Sequence, residues 1–209
     1  MSEVHSATGT LFVVSAPSGA GKTSLLKHLI KEMARVQTSI SHTTRKMREG
    51  EQNGVDYHFV SVDEFQSLVA QDAFFEHAQV FGNFYGTSKS SIEQQLSAGI
   101  DVILEIDWQG ARQIREQLPL SRSIFILPPT KQALRERLDS RGQDDAAIIE
   151  RRMNEAQSEM SHYNEYDYLV INDDFSQAVS ELKAILLAER QKLPNQQQKH
   201  AQLLSNLLD

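Results

Sequence analysis

The chain has 209 residues, a formal net charge of −7, 40% apolar residues and no cysteine. This composition fits one globular domain with insertions and excludes disulfide frameworks, thiolate metal sites and cysteine nucleophiles. The acidic balance argues against a broad nucleic-acid surface, which needs net positive charge. No apolar run approaches the roughly 20 residues of a membrane span, and the polar start, Met1 to Thr10, lacks a signal-peptide pattern, so a cytoplasmic protein is expected.

Thr10 to Ser15 is a short apolar run rich in β-formers and predicts a buried strand. Ala16, Pro17, Ser18, Gly19, Ala20, Gly21, Lys22, Thr23 follow it, and Leu25, Leu26, Leu29, Ile30 and Met33 then recur at helical spacing. Strand, glycine loop and amphipathic helix in that order match G-x-x-x-x-G-K-[ST], with Ala16 in place of the first glycine. The residue types have physical reasons. Glycines let successive N–H groups turn inward around phosphate oxygens, and the helix N-terminus adds positive potential. Lys22 brings a full charge to the β- and γ-phosphates, and Thr23 offers a hydroxyl to magnesium. Residues 16–23, with Ser24, are the expected ATP contacts.

The stretch after the first helix is of mixed character, with short strand-like pieces such as Tyr57 to Val60. Ser61-x-x-Glu64 reads as a capping box opening a helix with Phe65, Leu68 and Val69. Ser90-x-x-Glu93 reads as a second, with Ile92 and Leu96 on its face and Gly99 at its end. Arg45 and Arg48, three apart, can grip one phosphate with two guanidinium forks, and Tyr57 can add a hydroxyl.

Val102 to Ile106 and Ser123 to Leu127 predict two further buried strands. Asp107 stands at the end of the first, where open α/β sheets hold ligands. Glu105 shares its strand face, and either acid is a candidate for ordering magnesium waters. Pro128-Pro129 stops the second strand, and Thr130 caps the next helix. Arg135, Arg137, Arg141, Arg151 and Arg152 then cluster around Gly142 to Asp145. Tyr168 to Ile171 predicts a fourth strand, and Asp174 opens a helix bearing Val179, Leu182, Ile185 and Leu186. The Gln-rich tail carries Leu203, Leu204, Leu207 and Leu208, which suit a terminal helix or a partner contact. Strands alternating with helices predict an α/β fold of P-loop NTPase type, a parallel sheet flanked by helices.

Ser41-His42-Thr43-Thr44-Arg45 with Arg48, Gly50 and Glu51 and the phosphate loop together resemble the guanylate kinases of bacteria. The likeness continues through Phe81 to Thr87, Glu105 to Gly110, Arg141-Gly142 and Asn172 to Asp174. Met47 departs from it, standing where the family usually has proline. The resemblance implies a domain over residues 8–190. Its core would be 8–37 and 88–190, with a helical lid at about 130–160, an inserted GMP-binding subdomain at about 38–87, and a tail at 191–209. It implies magnesium-dependent transfer from ATP to GMP, with dGMP as a further acceptor. Arg45, Arg48, Tyr57 and Tyr85 would hold the GMP phosphate; Ser41, Glu76, Thr87 and Asp107 would meet guanine. A carboxylate suits guanine because N1–H and the N2 amine are adjacent donors that adenine lacks. Lys22, Arg45, Arg137, Arg141 and Arg152 would drive transfer, and Asn172 would lie near the adenine of ATP. Another small phosphorylated acceptor, or a silent binding module of the same family, are the alternatives. A homo-oligomer is compatible with the sequence.

Overall fold

The computed structural model describes residues 8–80, 82–139 and 146–208. Among them two sheets form. The chain runs through β1 (Leu11–Ser15), α1 (Lys22–Glu32), β2 (Val36–Thr38), β3 (His42–Thr43), β4 (His58–Phe59), α2 (Val62–Ala70), β5 (Phe74–Val80), β6 (Asn83–Ser88) and α3 (Lys89–Ser97). It continues through β7 (Asp101–Glu105), α4 (Trp108–Gln117), β8 (Arg122–Leu127), α5 (Lys131–Asp139), α6 (Ala146–Met160), a 3-10 turn (Tyr163–Glu165), β9 (Tyr168–Ile171), α7 (Phe175–Arg190), α8 (Leu193–Lys199) and α9 (Ala201–Leu208).

The first sheet is parallel, in the order β2-β7-β1-β8-β9. All of β1 is buried because both of its faces are covered. Phe12 and Val14 point into one core with Leu25, Leu26 and Leu29 of α1 and Leu182 and Leu186 of α7. Leu11 and Val13 point into the other, with Val102, Leu104, Ile92 and Ile114. This is the period-2 alternation of a strand between two helical layers. β1 lies between β7 and β8, so the strand order reverses at its C-terminal end and leaves a crevice there.

β2 is a strand that the sequence reading passed over. It has three residues, and Val36 is its buried one, too few for a period to show. The second sheet, in the order β4-β3-β6-β5, is mixed: β3 pairs parallel with β4 and antiparallel with β6. It comes from the stretch between β2 and α3.

The expected caps divide. Ser61 Oγ accepts the Glu64 N–H at 3.1 Å, Thr130 Oγ1 the Ala133 N–H at 3.0 Å, and Asp174 Oδ1 the Gln177 N–H at 2.7 Å. Ser90 does not cap α3; the helix begins at Lys89 with Ser88 as its cap residue and no side-chain cap bond. Ser88 Oγ and Ser90 Oγ face each other at 3.2 Å instead. The tail is helical, and Leu203, Leu204, Leu207 and Leu208 of α9 are exposed. Among the described residues, no helix is long and apolar enough to cross a membrane.

Candidate active site

The ends of β1 and β7 face the second sheet across a cleft of about 450 Å³. On one side lie Ala16, Pro17, Ser18, Gly19, Gly21, Lys22, Thr23 and Ser24; on the other lie Ser41, Tyr57, Glu76 and Tyr85, with Glu105, Asp107 and Glu159 between. Ala20 is buried behind the loop.

The loop is built to present N–H groups. Gly19 and Gly21 have φ of 90° and 91°, a left-handed conformation that L side chains rarely adopt. Gly21 also caps α1 without a side-chain bond, so the first amides of the helix have no side-chain cap and can meet an anion. A Cβ on Gly21 would come within 2.4 Å of Asn172 Nδ2. Asn172 is buried and donates from Nδ2 to the Ala20 carbonyl at 2.7 Å, bracing the loop from behind. Arg137 Nη2 donates to the Asn172 carbonyl at 2.9 Å, and Arg152 Nη2 to Ser18 Oγ at 2.9 Å. Arg141 lies outside the described residues.

Lys22 lies deep in the loop. Burial lowers its pKa below the ordinary lysine value, against the carboxylates of Glu105, Glu159 and Asp107, which favour the charged form. Thr23 Oγ1 donates to Glu105 Oε2 at 3.1 Å. The hydroxyl, this carboxylate and nearby Asp107 are hard oxygen donors, the type that magnesium takes while keeping several waters. They fit that ion. Asp107 also caps α4, its Oδ1 accepting the Gly110 N–H at 2.9 Å. Trp108 stacks on His162 with centroids 3.9 Å apart and packs outside the cleft.

Opposite the loop, Glu76 is only 4% exposed. Phe74, Phe75 and Glu76 are buried in succession, which strict strand alternation forbids. The β5–β6 register shifts between Phe74 and Glu76, and that bulge turns the carboxylate inward. Thr87 Oγ1 donates to Glu76 Oε1 at 2.6 Å. A Cβ on Gly110 would stand 2.9 Å from Glu76 Oε2, so the glycine makes room for the carboxylate. Burial pushes the Glu76 carboxyl up to about 7, against the Thr87 hydrogen bond and with the help of the Asp107 charge.

Arg45 is held in place. Its Nη1 and Nη2 donate to Glu51 Oε2 and Oε1 at 3.0 and 2.7 Å, and its guanidinium lies 5.4 Å from the Tyr57 ring centroid. Glu51 also accepts the Arg48 N–H at 2.7 Å. The Arg45 bonds, followed by the Arg48 N–H, pull the Glu51 carboxyl down to about 2. Burial raises the Tyr57 phenol, which therefore stays a donor at neutral pH. Tyr85 lies beside it, with ring centroids 6.1 Å apart. Arg48 and Met47 sit exposed on the same loop.

The structure thus collects most of the residues singled out from sequence around one cleft, with Thr87 behind Glu76 and Asn172 and Arg137 behind the loop. The sequence reading gave no role to Glu51 or Glu159. Glu51 carried a signal, an acid three residues after Arg48 in a basic loop. Glu159 carried none, since it reaches the cleft from α6.

A guanylate kinase family model matches residues 8–189. The guanylate kinase of Saccharophagus degradans is 58% identical over 201 residues, covering 96% of this chain and 98% of the relative. That of Photobacterium profundum is 58% identical over 202 residues, covering 96% and 97%. The crystal structure of guanylate kinase from Anaplasma phagocytophilum superposes with a TM-score of 0.73 at 36% identity, covering 90% of this chain and 89% of that one. The chain belongs to the guanylate kinase family.

Proposed function

We propose that the chain transfers the terminal phosphate of ATP to GMP in a magnesium-dependent reaction, giving ADP and GDP. One observation carries the choice of acceptor: a buried carboxylate, Glu76, faces the phosphate loop across the cleft with a hydroxyl bound to it. Ionised, it accepts guanine N1–H and the N2 amine together. Adenine would leave it unpaired and desolvated. Ser41, Thr87 and Asp107 complete the base site. Arg45, Arg48, Tyr57 and Tyr85 take the GMP phosphate.

The loop amides, Lys22 and Thr23 hold the ATP phosphates, with Ser24 and the loop residues from Ala16 to Gly21 around them. Thr23 and Glu105 would hold magnesium, which when bound would supply charge neutralisation to the phosphates of ATP. A GMP phosphate oxygen attacks the γ-phosphorus in line as the bond to the bridging oxygen breaks and ADP leaves. No side chain becomes covalently bound. Positioning and positive charge from Lys22 and Arg45 do the work, with Arg137, Arg141 and Arg152 delivered by a lid spanning about 130–160. Asn172, which the family resemblance sets near the adenine of ATP, also braces the loop through its bond to the Ala20 carbonyl.

The test is ADP release from ATP and magnesium with GMP, dGMP, AMP, dTMP, CMP or no acceptor. Turnover with the guanine nucleotides alone is expected. Turnover with another acceptor would overturn the reading of Glu76. No turnover from folded protein would favour a silent binding module.

Glu51 supports this reading as the residue that aims Arg45. Glu51→Gln is expected to lower kcat/KM for GMP by roughly 10- to 100-fold, because small misplacement of a phosphate clamp is costly. Steady-state kinetics with varied GMP checks it, and the KM for ATP should stay within about twofold of wild type. The Arg45 bonds hold the carboxyl down to about 2, so the brace is ionised at neutral pH and loosens only as pH falls toward that value.

A further inference from the structure

Glu159 reaches the phosphate loop from α6. Its Oε2 accepts the Ser18 N–H at 3.3 Å, and its charge acts on Lys22. Arg152 stands seven residues earlier, two helical turns away on nearly the same face, and donates to Ser18 Oγ. The adjacent stripe of the helix, with Met153, Ala156 and Met160, packs on Leu134 and Leu138 of α5. One stripe of α6 is therefore anchored, while its neighbour presents an arginine and a carboxylate to a single loop residue.

We infer that Glu159 is an affinity-setting residue, an internal anion that competes with the phosphates of ATP for the loop. The loop's amides and Lys22 are arranged for negative charge, and Glu159 supplies some of it from within the chain. The Ser18 N–H is one donor and cannot serve a carboxylate and a phosphate oxygen equally. Like charges close together in a partly desolvated cleft also repel strongly. Entering phosphates therefore displace Glu159. Its burial, which raises the carboxyl's pKa, makes the ionised form easier to dislodge. Because Arg152 shares its helix and its loop contact, displacement also breaks its bond to Ser18 Oγ. The same competition speeds the departure of ADP. This inference rests on the loop's binding a nucleoside triphosphate and not on the identity of the acceptor.

The test is calorimetric titration of the full chain, without GMP, with the β,γ-imido analogue of ATP, with ADP and with adenosine. Glu159→Gln is expected to tighten binding of the analogue and of ADP by roughly 3- to 10-fold, with a gain that shrinks as salt rises. Adenosine should be unaffected, whereas a merely structural role would move all three ligands alike. In turnover, stronger product inhibition by ADP and a lower kcat are expected. Glu155→Gln, on the same helix and paired with Arg151, should match wild type. If the glutamine variant fails to melt cooperatively, Glu159→Ala read in the same way replaces it. Unchanged or weaker binding of the analogue would overturn the inference. GMP turnover by the wild type, measured separately, tests the acceptor.

Discussion

Lys22→Ala is expected to lower kcat by at least about 10³-fold, as loss of a full charge from a phosphoryl-transfer site does. The loss exceeds that of one contact. Lys22 is the cation against which Glu105, Glu159 and Asp107 are set. Without it, Glu105 and Asp107 stand near the anionic phosphates with one full positive charge fewer to offset them. Lys22→Arg should not restore activity, because a planar fork cannot take the place of a compact ammonium inside the loop. Single-turnover kinetics with saturating GMP gives the size of the effect. Thermal unfolding should show both variants folded, since Lys22 lies outside the two apolar cores that hold α1 to the sheet.

Glu76→Gln is expected to lower kcat/KM for GMP on the order of 10³-fold while making the free protein more stable. The two effects share one cause. Burial holds the folded carboxyl at about 7 against an ordinary 4.5. Between those values the folded state keeps a proton that the unfolded state releases, so stability falls as pH rises through that window. Below about pH 4.5 both states are protonated and the wild type carries no penalty. Above pH 7 the penalty is complete, on the order of 3 kcal/mol for a shift of this size. Glutamine never ionises. Its advantage in denaturant unfolding should therefore be near its maximum at pH 8 and vanish toward pH 4.5. The wild-type KM for GMP should rise as pH falls below about 7, because the protonated carboxyl accepts fewer of guanine's hydrogens. A pH-independent KM, together with an unstabilised variant, would remove Glu76 from the base site.

Local features were readable from sequence, and features made by distant elements were not. The phosphate loop is contiguous, and its strand and helix flank it directly, so residues 10–33 declare both fold class and donor site. The buried strands β7 and β8, and the four-residue β9 with Val170 as its buried member, came through for the same reason, as contiguous apolar runs. β2 did not, because three residues carry no period. The Ser90 box failed because the cap of α3 is Ser88, two residues earlier, so Ser90 lies inside the first turn and not at its cap. Glu76 is the sharper case. Alone, an acid after two phenylalanines reads as a surface residue, and the resemblance to a family gave it its place. Its burial comes from a bulge in β5, a hydroxyl on β6 and a glycine in α4, which are brought together by folding alone. Glu159 is separated from the loop it touches by most of the chain, and no spacing rule connects Ser18 to α6.

The most direct measurement is the fate of the γ-phosphate of ATP. ATP carrying label at that position would be mixed with a slight excess of protein, magnesium and GMP, and quenched within one turnover. Direct in-line transfer predicts that the label passes to GDP, one for each ADP formed, with none on the protein and none as inorganic phosphate. Label retained on the protein or released to water, or no loss from ATP while GMP is bound, would contradict it.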